Sequence, residues 1–241
     1  MSTIAIIPAR YASTRLPGKP LLAQTGKTLI QHVVEAVRPA RRLDRIVVAT
    51  DDQRIFDAVV NFGGQAVMTG DCRTGTDRLA QAAASLGLAD DDIVVNVQGD
   101  EPGMPPACVD QLVEVLHRCN TPMATLATGL PGGAAANPNK VKVVLDRQGR
   151  AMYFSRATIP FDRDGAGKTA YLLHLGIYAY RVGFLKLYAS LPPTPAEESE
   201  KLEQLRALEN GYDIAVAVVD YGGGGIDTPE DYAEFVARQR H

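Results

Sequence analysis

The chain lacks the cysteine pairs, long apolar segments and basic excess that would each indicate a particular class of protein. Its 241 residues include three cysteines without CxxC spacing, which argues against a disulfide framework or a zinc site. No apolar run approaches the roughly 20 residues that a membrane helix needs, so no membrane partner is expected. The formal net charge of −3 gives no overall basic field, so a protein that coats nucleic acid is not expected either.

The first residues also lack the basic segment and following hydrophobic region of a signal peptide. We therefore expect a soluble protein of the cytoplasm, where thiols stay reduced. A chain of this length can bury a sizeable core, as one large α/β domain or one domain with a small appendage.

Three motifs of well-known enzyme classes are incomplete. Gly26-Lys27-Thr28 resembles the end of a Walker A loop, but Leu21 stands where that motif needs its first glycine. The first apolar run leads into Pro-Ala-Arg instead of GxGxxG, which argues against a nicotinamide enzyme. No GxSxG segment is present, so the nucleophile elbow of an α/β-hydrolase is missing.

Strand-like and helix-like segments alternate through the first half of the chain. Apolar runs predict strands at residues 4–7, 45–50, 65–68 and 93–98. Helices are predicted at residues 28–37, from the possible caps Asp51 and Asp52 to Gly63-Gly64, and at 77–86. Repeated βα units imply an α/β fold with a doubly wound, mostly parallel sheet over residues 1 to about 130.

The second half follows a different pattern. Residues 140–145 and 151–155 flank a polar turn and predict a β-hairpin, and a further strand is expected at 173–180. A helix is predicted at 200–209. Such a small antiparallel insertion often covers an active-site cleft or builds a dimer interface. Thr228 and Pro229 predict the start of a carboxyl-terminal helix after a glycine-rich loop.

Cations and carboxylates follow the predicted strands. Arg10, Arg15 and Lys19 lie in the loop after the first strand, where open α/β sheets place ligands and where a polyphosphate would be neutralised. Asp100 follows the fourth strand, and Asp227 follows the glycine-rich loop. Carboxylates that face a triphosphate suggest Mg²⁺, which prefers oxygen ligands. An ordinary solvated turn is the alternative for the cations, and a helix-capping cluster explains Asp227 equally well from spacing alone.

Another junction offers two arginines and two hydroxyls, in the segment Arg73-Thr74-Gly75-Thr76-Asp77-Arg78. It fits a capped helix start, a ligand-binding segment, or both together.

Taken together, these motifs resemble the 3-deoxy-manno-octulosonate (KDO) cytidylyltransferase family, the CMP-KDO synthetases of Gram-negative bacteria. The similarity runs in order from end to end, through segments 7–20, 74–78, 96–102, 138–146, 153–156, 174–178, 201–206 and 226–231. Related enzymes that activate sialic acids share the basic amino-terminal loop. The resemblance implies a nucleotide-diphospho-sugar transferase-like fold, a cytoplasmic homodimer and a place in lipopolysaccharide biosynthesis.

The resemblance also implies a reaction, the Mg²⁺-dependent transfer of CMP from CTP to the anomeric hydroxyl of KDO with release of pyrophosphate. The catalytic residues it implies are Lys19, Asp100 and Asp227, of which the two aspartates hold the metal. The nucleotide-binding residues it implies are Pro8, Ala9, Arg10, Arg15, Lys19, Arg73, Thr74, Arg78 and Gln98. The sugar-binding residues it implies are Arg156 for the carboxylate, and His174, Tyr178, Glu203 and Gln204 for the hydroxyls.

Within a single cytidylyltransferase domain over residues 1–241, these roles divide the chain by function. Residues 1–130 form the nucleotide-binding half, 131–212 the sugar-binding and dimerisation part, and 213–241 a returning strand, metal-site loop and final helix.

Alternatives remain for several of these residues. Without the resemblance, His174 is a structural histidine, Tyr178 a core residue and Glu203 part of a solvated helix face. At Gly103 and around Arg73-Thr74 the chain departs from the family pattern, which leaves the nucleotide contacts of that last segment open. Two functions compete with KDO activation. One is a cytidylyltransferase for 8-amino-KDO or another acidic sugar, and the other is a non-catalytic nucleotide-sugar-binding protein.

Overall fold

A computed structural model of the chain describes residues 1–12, 16–165, 167 and 169–239. The backbone forms two compact units, each built from separate stretches of chain. The first unit contains Met1–Asp110, Arg181–Ala189 and Gly223–His241, and the second contains Gln111–Tyr180 and Ser190–Gly222. The boundaries between the two units do not lie at residues 130 and 212. The division of the chain by function at those positions stays a prediction.

The elements of the described residues follow in chain order. The strands are β1 (Thr3–Ala9), β2 (Arg45–Thr50), β3 (Gln65–Met68), β4 (Ile93–Asn96), β5 (Met123–Leu130), β6 (Lys142–Leu145), β7 (Ala151–Ser155), β8 (Tyr171–Arg181) and β9 (Ile214–Val218). The helices are α1 (Leu29–Val37), α2 (Gln53–Asn61), α3 (Gly75–Ser85), α4 (Pro106–Cys119), α5 (Val182–Ser190), α6 (Pro195–Glu200), α7 (Leu205–Glu209) and α8 (Pro229–Gln239). None of these helices is both long and apolar enough to span a membrane.

The first unit is built on the four parallel strands that the apolar runs predict, in the order β3-β2-β1-β4. Strands β1 and β4 are almost entirely buried, as expected for parallel strands covered on both faces. The chain moves outward from β1 to β3 and then returns to the other side of β1. The strand order therefore reverses between β1 and β4, and ligands bind at such switch points.

The helices of the first unit begin at residues that cap their free amides. Thr28 caps α1, Asp52 caps α2, and Thr74 forms a capping box with Asp77 at the start of α3. The helix starts are therefore set locally. Of the two aspartates proposed as caps for α2, Asp52 accepts the hydrogen bond.

The last stretch of chain packs back onto the first unit through α8. Tyr232, Phe235 and Val236 form an apolar cluster with Leu29 of α1. The hydroxyl of Tyr232 also accepts a hydrogen bond of 2.9 Å from the amide of Gln24. The carboxyl-terminal helix is thus part of the first unit and packs against the residues around the start of α1.

In the second unit, β5 pairs antiparallel with β8 and parallel with β9. Strands β6 and β7 form the predicted antiparallel hairpin, and β6 meets β8 where Lys142 faces Leu173. The antiparallel insertion expected from the sequence is therefore confirmed.

The helix predicted at 200–209 is confirmed for residues 205–209 and wrong for residues 201–204. Helix α6 ends at Glu200, because Lys201 adopts the left-handed conformation with φ of 53°, and α7 begins only at Leu205. The intervening turn contains Glu203 and Gln204, both predicted to contact the sugar. These side chains therefore lie on a turn and not on a helix face.

Candidate active site

A cavity of about 360 Å³ opens in the first unit where β1 and β4 end. The end of β1 contributes Pro8, Ala9 and Arg10 to its wall, and the loop after β4 contributes Gln98, Gly99 and Asp100. Lys19 and Asp227 also line it. This is the reversal point of the strand order, where the sheet topology predicts a ligand.

Lys19 connects the two predicted metal ligands. Its Nζ donates to Oδ2 of Asp100 at 2.7 Å and to the carbonyl of Ile226 at 2.8 Å, and it lies 3.5 Å from Oδ1 of Asp227. The lysine side chain is only 14% exposed, so water screens these contacts less than at an open surface. One ammonium group therefore balances two carboxylates from distant parts of the chain.

Asp227 lies at the start of the capping cluster of helix α8, and its metal-binding role stays a prediction. Helix α8 is capped by its neighbours, since Oγ1 of Thr228 accepts from the amide of Asp231 at 3.1 Å. Oδ2 of Asp231 in turn accepts from the amides of Asp227 and Thr228, and these hydrogen bonds lower the pKa of Asp231. The cap thus fixes the backbone of Asp227, while the Asp227 carboxylate faces Lys19.

Two glycines allow the loops of this cavity to approach closely. A Cβ added to Gly99 would lie 2.7 Å from the carbonyl oxygen of Pro8, far inside contact distance. Gly18 has a φ of 66°, and a Cβ there would lie 3.2 Å from the ring of Tyr11. Side chains at these positions would therefore disturb the loops that carry Asp100 and Lys19.

The carboxylate pair fits a divalent cation that shares its coordination with phosphate. Among the described residues, no three His, Cys, Asp or Glu side chains are grouped to hold a metal by themselves. Mg²⁺ is commonly held by one or two carboxylates together with substrate phosphates and water. Asp100 and Asp227 supply that number of protein ligands.

Sequence reasoning missed Glu101, which adjoins Asp100. Burial, with a further contribution from the charge of Asp100, raises the pKa of Glu101 to about 7. The Glu101 carboxyl is therefore partly protonated near neutral pH. Nothing in the local sequence indicates this, because the raised pKa of Glu101 arises from burial.

Arg78 is not positioned as a free cation. Its side chain is fully buried, and its guanidinium donates to Oδ2 of Asp51 and to Oγ1 of Thr69. Asp51 follows β2 and Thr69 follows β3, so this pair ties two strand ends together. The arginine has these partners within the protein, and its nucleotide contact stays a prediction.

The remaining predicted nucleotide residues lie elsewhere. Thr74 caps α3 and Arg73 is exposed; neither is among the residues that line the cavity. Arg15 lies outside the described residues.

In the second unit, three predicted sugar-binding residues come together. The ring of His174 lies 5.5 Å from that of Tyr178 and 4.8 Å from that of Phe154, measured between centroids. The Tyr178 hydroxyl donates to Oε1 of Gln204 at 3.3 Å. We call His174, Tyr178, Glu203 and Gln204 the second-unit cluster.

Burial fixes the protonation of this cluster. It lowers the pKa of His174 to about 3, so the imidazole is neutral over the physiological range. Burial, assisted by the charge of Glu203, raises the pKa of the Tyr178 phenol. The cluster therefore offers neutral hydrogen-bonding groups around one acid.

Gln204 has a donor that is not satisfied within the described part of the protein. Its side chain is almost fully buried, and its Nε2 meets no acceptor there. Leaving a buried donor without a partner costs about 1–3 kcal/mol. A ligand oxygen at this position would satisfy it.

Arg156 is held in place by backbone carbonyls. Its Nε donates to the carbonyl of Glu200 at 2.7 Å and its Nη1 to that of Pro138 at 3.1 Å. Its amide donates to Oε2 of Glu200 at 2.8 Å. The guanidinium is thus oriented, with part of its donor capacity already used.

A buried lysine that the sequence did not identify contacts the backbone of Arg156. Lys142 is fully buried, and its Nζ donates to the carbonyls of Arg156 at 2.7 Å and of Asn137 at 3.1 Å. A lysine in an apolar strand was the only sequence signal. The partners of Lys142 are backbone carbonyls. Because every residue has a backbone carbonyl, the sequence alone could not show which of them Lys142 contacts.

Known proteins resemble this chain over nearly its whole length. A family model described as cytidylyltransferase matches residues 4–214. A 3-deoxy-manno-octulosonate cytidylyltransferase of Syntrophobacter fumaroxidans is 55% identical, covering 96% of this chain and 94% of the relative. An 8-amino-3,8-dideoxy-manno-octulosonate cytidylyltransferase of Shewanella halifaxensis is 51% identical, covering 96% of both chains.

A solved structure is similar as well. It is described as CMP:2-keto-3-deoxy-manno-octonic acid synthetase complexed with CTP, and it superposes with a TM-score of 0.94 at 42% identity. The match covers 100% of this chain and 99% of the other.

Proposed function

Because this chain belongs to the cytidylyltransferase family, we propose that it transfers CMP from CTP to the anomeric hydroxyl of KDO and releases pyrophosphate. The observation that carries this proposal is the contact of Lys19 with both Asp100 and Asp227 at the reversal point of the sheet. Similarity to KDO-activating relatives along the whole chain supports the same acceptor.

The cavity of the first unit is suited to the nucleotide. Arg10 and Lys19, with Arg15 from the same loop, would neutralise the triphosphate. Pro8, Ala9 and Gln98 would surround the cytosine and ribose, together with Arg73 and Thr74. For Arg78 we propose a positioning role, because its guanidinium is already bound to Asp51 and Thr69.

Mg²⁺ fits the carboxylates of Asp100 and Asp227, and when bound it would supply charge neutralisation at the phosphates and the attacking hydroxyl. The protein's own contribution is positional. Lys19 holds the two carboxylates at one edge of the cavity, and it places a positive charge beside the leaving pyrophosphate. Holding the reacting groups in place is the main demand of such a transfer.

The second-unit cluster is suited to the sugar. Gln204 offers an unsatisfied donor, and His174, Tyr178 and Glu203 supply further hydrogen-bonding groups for hydroxyls. Arg156 would bind the carboxylate of KDO, because a planar guanidinium matches a carboxylate in shape and charge.

We further propose that the enzyme is a homodimer that serves lipopolysaccharide biosynthesis in the cytoplasm, where CTP is made. Exposed apolar side chains in the second unit support the dimer, since Met152 is 62% exposed and Phe161 82% exposed.

The test is pyrophosphate release from CTP with KDO, its 8-amino analogue, a sialic acid, or no sugar. We expect release with KDO that EDTA abolishes and Mg²⁺ restores. Release with the 8-amino analogue alone would show that this analogue, and not KDO, is the acceptor. The Shewanella relative makes it the second candidate. Silence with every sugar in folded protein would contradict the proposal and favour a binding protein.

A matched pair of variants tests the metal ligand. Asp100→Asn should reduce release to background, because the amide carries no charge for the cation. Asp91→Asn is the control, since Asp91 is exposed at the turn before β4. Near-normal turnover by Asp100→Asn would remove Asp100 from the metal site.

A further inference from the structure

Thr125 of β5 is a buried threonine with three polar neighbours. Its Oγ1 lies 3.0 Å from Nε2 of His174, 3.1 Å from the carbonyl oxygen of Leu175 and 2.7 Å from that of Ile177. The three neighbours converge because the register of β5 against β8 shifts between Thr125 and Leu126. The side chain of Thr125 is fully buried, so bulk water does not compete for these contacts.

Counting protons assigns a direction to each of these hydrogen bonds. A hydroxyl has one proton, and a carbonyl oxygen can only accept. If the hydroxyl donated to His174, its lone pairs would face two carbonyl oxygens, one at 2.7 Å, in a buried and repulsive arrangement. The hydroxyl of Thr125 therefore donates to a carbonyl, and Nε2 of His174 must carry the hydrogen that Oγ1 accepts.

The tautomer of His174 follows from this assignment. The imidazole is neutral because burial lowers the pKa of His174 to about 3, so it carries a single ring proton. With that proton on Nε2, the other nitrogen, Nδ1, is a hydrogen-bond acceptor. A neutral imidazole can present either a donor or an acceptor at Nδ1, and Thr125 makes the choice.

We propose that Thr125 is a positioning residue that fixes His174 as the Nε2–H tautomer, so that Nδ1 accepts a hydrogen bond from a hydroxyl of the acceptor sugar. This inference rests on the proposed function for its ligand, whereas the tautomer is a property of the free protein. The hydroxyl of Thr125 would thus act on the sugar through the ring and contact no substrate itself.

The first test reads the tautomer without any substrate. Long-range ¹H–¹⁵N correlation spectra distinguish a protonated Nε2 from a protonated Nδ1, and the His174→Gln spectrum identifies the signals of His174. We expect Nε2–H in the wild-type protein at neutral pH. A protonated Nδ1 overturns the proposal, and this result does not depend on any variant of Thr125.

The second test uses two variants of Thr125. Thr125→Val keeps the branched shape and removes the acceptor, whereas Thr125→Ser keeps the hydroxyl. In Thr125→Val we expect loss of the Nε2–H preference and a rise of about 3- to 10-fold in KM for the sugar, the effect of one hydrogen bond, with KM for CTP unchanged. Thr125→Ser should return the spectrum and the sugar KM toward wild type.

Two further outcomes contradict the proposal in different ways. Equal rises in KM for sugar and CTP, or equal damage by Val and Ser, would show that Thr125 only supports the fold. If wild-type protein turns over no acidic sugar, the proposed function and the sugar contact fail together. The wild-type spectrum still decides the tautomer in that case, so the two failures are distinguishable.

Discussion

Lys19 balances two carboxylates, so removing its charge should lower pyrophosphate release more than removing a charge from the surface would. Lys19→Met would leave Asp100 and Asp227 to repel each other and would remove a positive charge from the phosphate site. We expect pyrophosphate release to fall about 100- to 1,000-fold, comparable with the loss of one preorganised electrostatic group in other enzymes. Steady-state kinetics with saturating CTP and KDO measure this.

Lys27→Met is the matched control for that experiment. Lys27 also pairs with a carboxylate, Glu35, at 2.6 Å, but its side chain is 48% exposed and does not line the cavity. Its loss should leave turnover within about twofold, because exposed ion pairs contribute little. Similar losses in both variants would show that Lys19 acts through stability alone.

His174 links the stability of the protein to pH. Its pKa in the folded state, about 3, is below its unfolded value of about 6.5, so the unfolded chain binds more protons as the pH falls. Its stabilising contribution is complete above pH 6.5 and is lost progressively toward pH 3. Between pH 7 and pH 5.5 this protonation lowers the free energy of unfolding by about 1 kcal/mol.

The measurement is urea unfolding of wild type and His174→Gln at both pH values. From pH 7 to pH 5.5 we expect the free energy of unfolding to fall by about 1 kcal/mol more for wild type than for the variant, which has no imidazole at position 174 to protonate. An equal loss in both proteins would show that the imidazole is protonated as readily in the folded state as in the unfolded chain.

At the scale of elements, Lys201 is the point where α6 ends. A lysine with φ of 53° is in the left-handed region, which costs an L-residue about 1–2 kcal/mol relative to the right-handed one. Lys201→Gly should therefore stabilise the protein by about 1 kcal/mol, and Lys201→Ala should not. Urea unfolding compares them; a destabilised glycine variant would mean that the lysine side chain outweighs the strain.

The same turn shows what the sequence could and could not predict about elements. Strands β2 and β3 match their predicted bounds, because short apolar runs between turn residues are strong local signals. The break at Lys201 has no glycine or proline to announce it. The preceding residue, Glu200, accepts hydrogen bonds from Ser155 and Arg156, which are distant in sequence.

The candidate site was predictable to a similar extent. Arg10, Lys19 and Asp100 follow buried strands, and sheet topology places such residues together. The positions of Thr125 and Lys142 depend on contacts with backbone carbonyls that only the folded chain brings near. Strand β5 and helices α4, α5 and α6 were also not predicted from the sequence.

At the scale of the whole molecule, the proposed dimer can be tested through its exposed apolar surface. Phe161→Glu and Met152→Glu should halve the molar mass measured by light scattering, because each places a charge on the proposed interface. Val60→Glu is the control, since Val60 is 51% exposed on α2 of the first unit. Unchanged mass in both second-unit variants would place any interface elsewhere.

The return of residues 223–239 to the first unit has a consequence for how the protein is made. A ribosome supplies the strands β1 to β4 early, but Asp227 and the apolar face of α8 follow only after the residues of the second unit have been made. Until then Lys19 has one of its two carboxylates and Leu29 lacks its covering helix. A nascent chain is therefore expected to complete its nucleotide site only after its second unit has been made, so that translation products interrupted before Asp227 would be inactive and open to proteolysis.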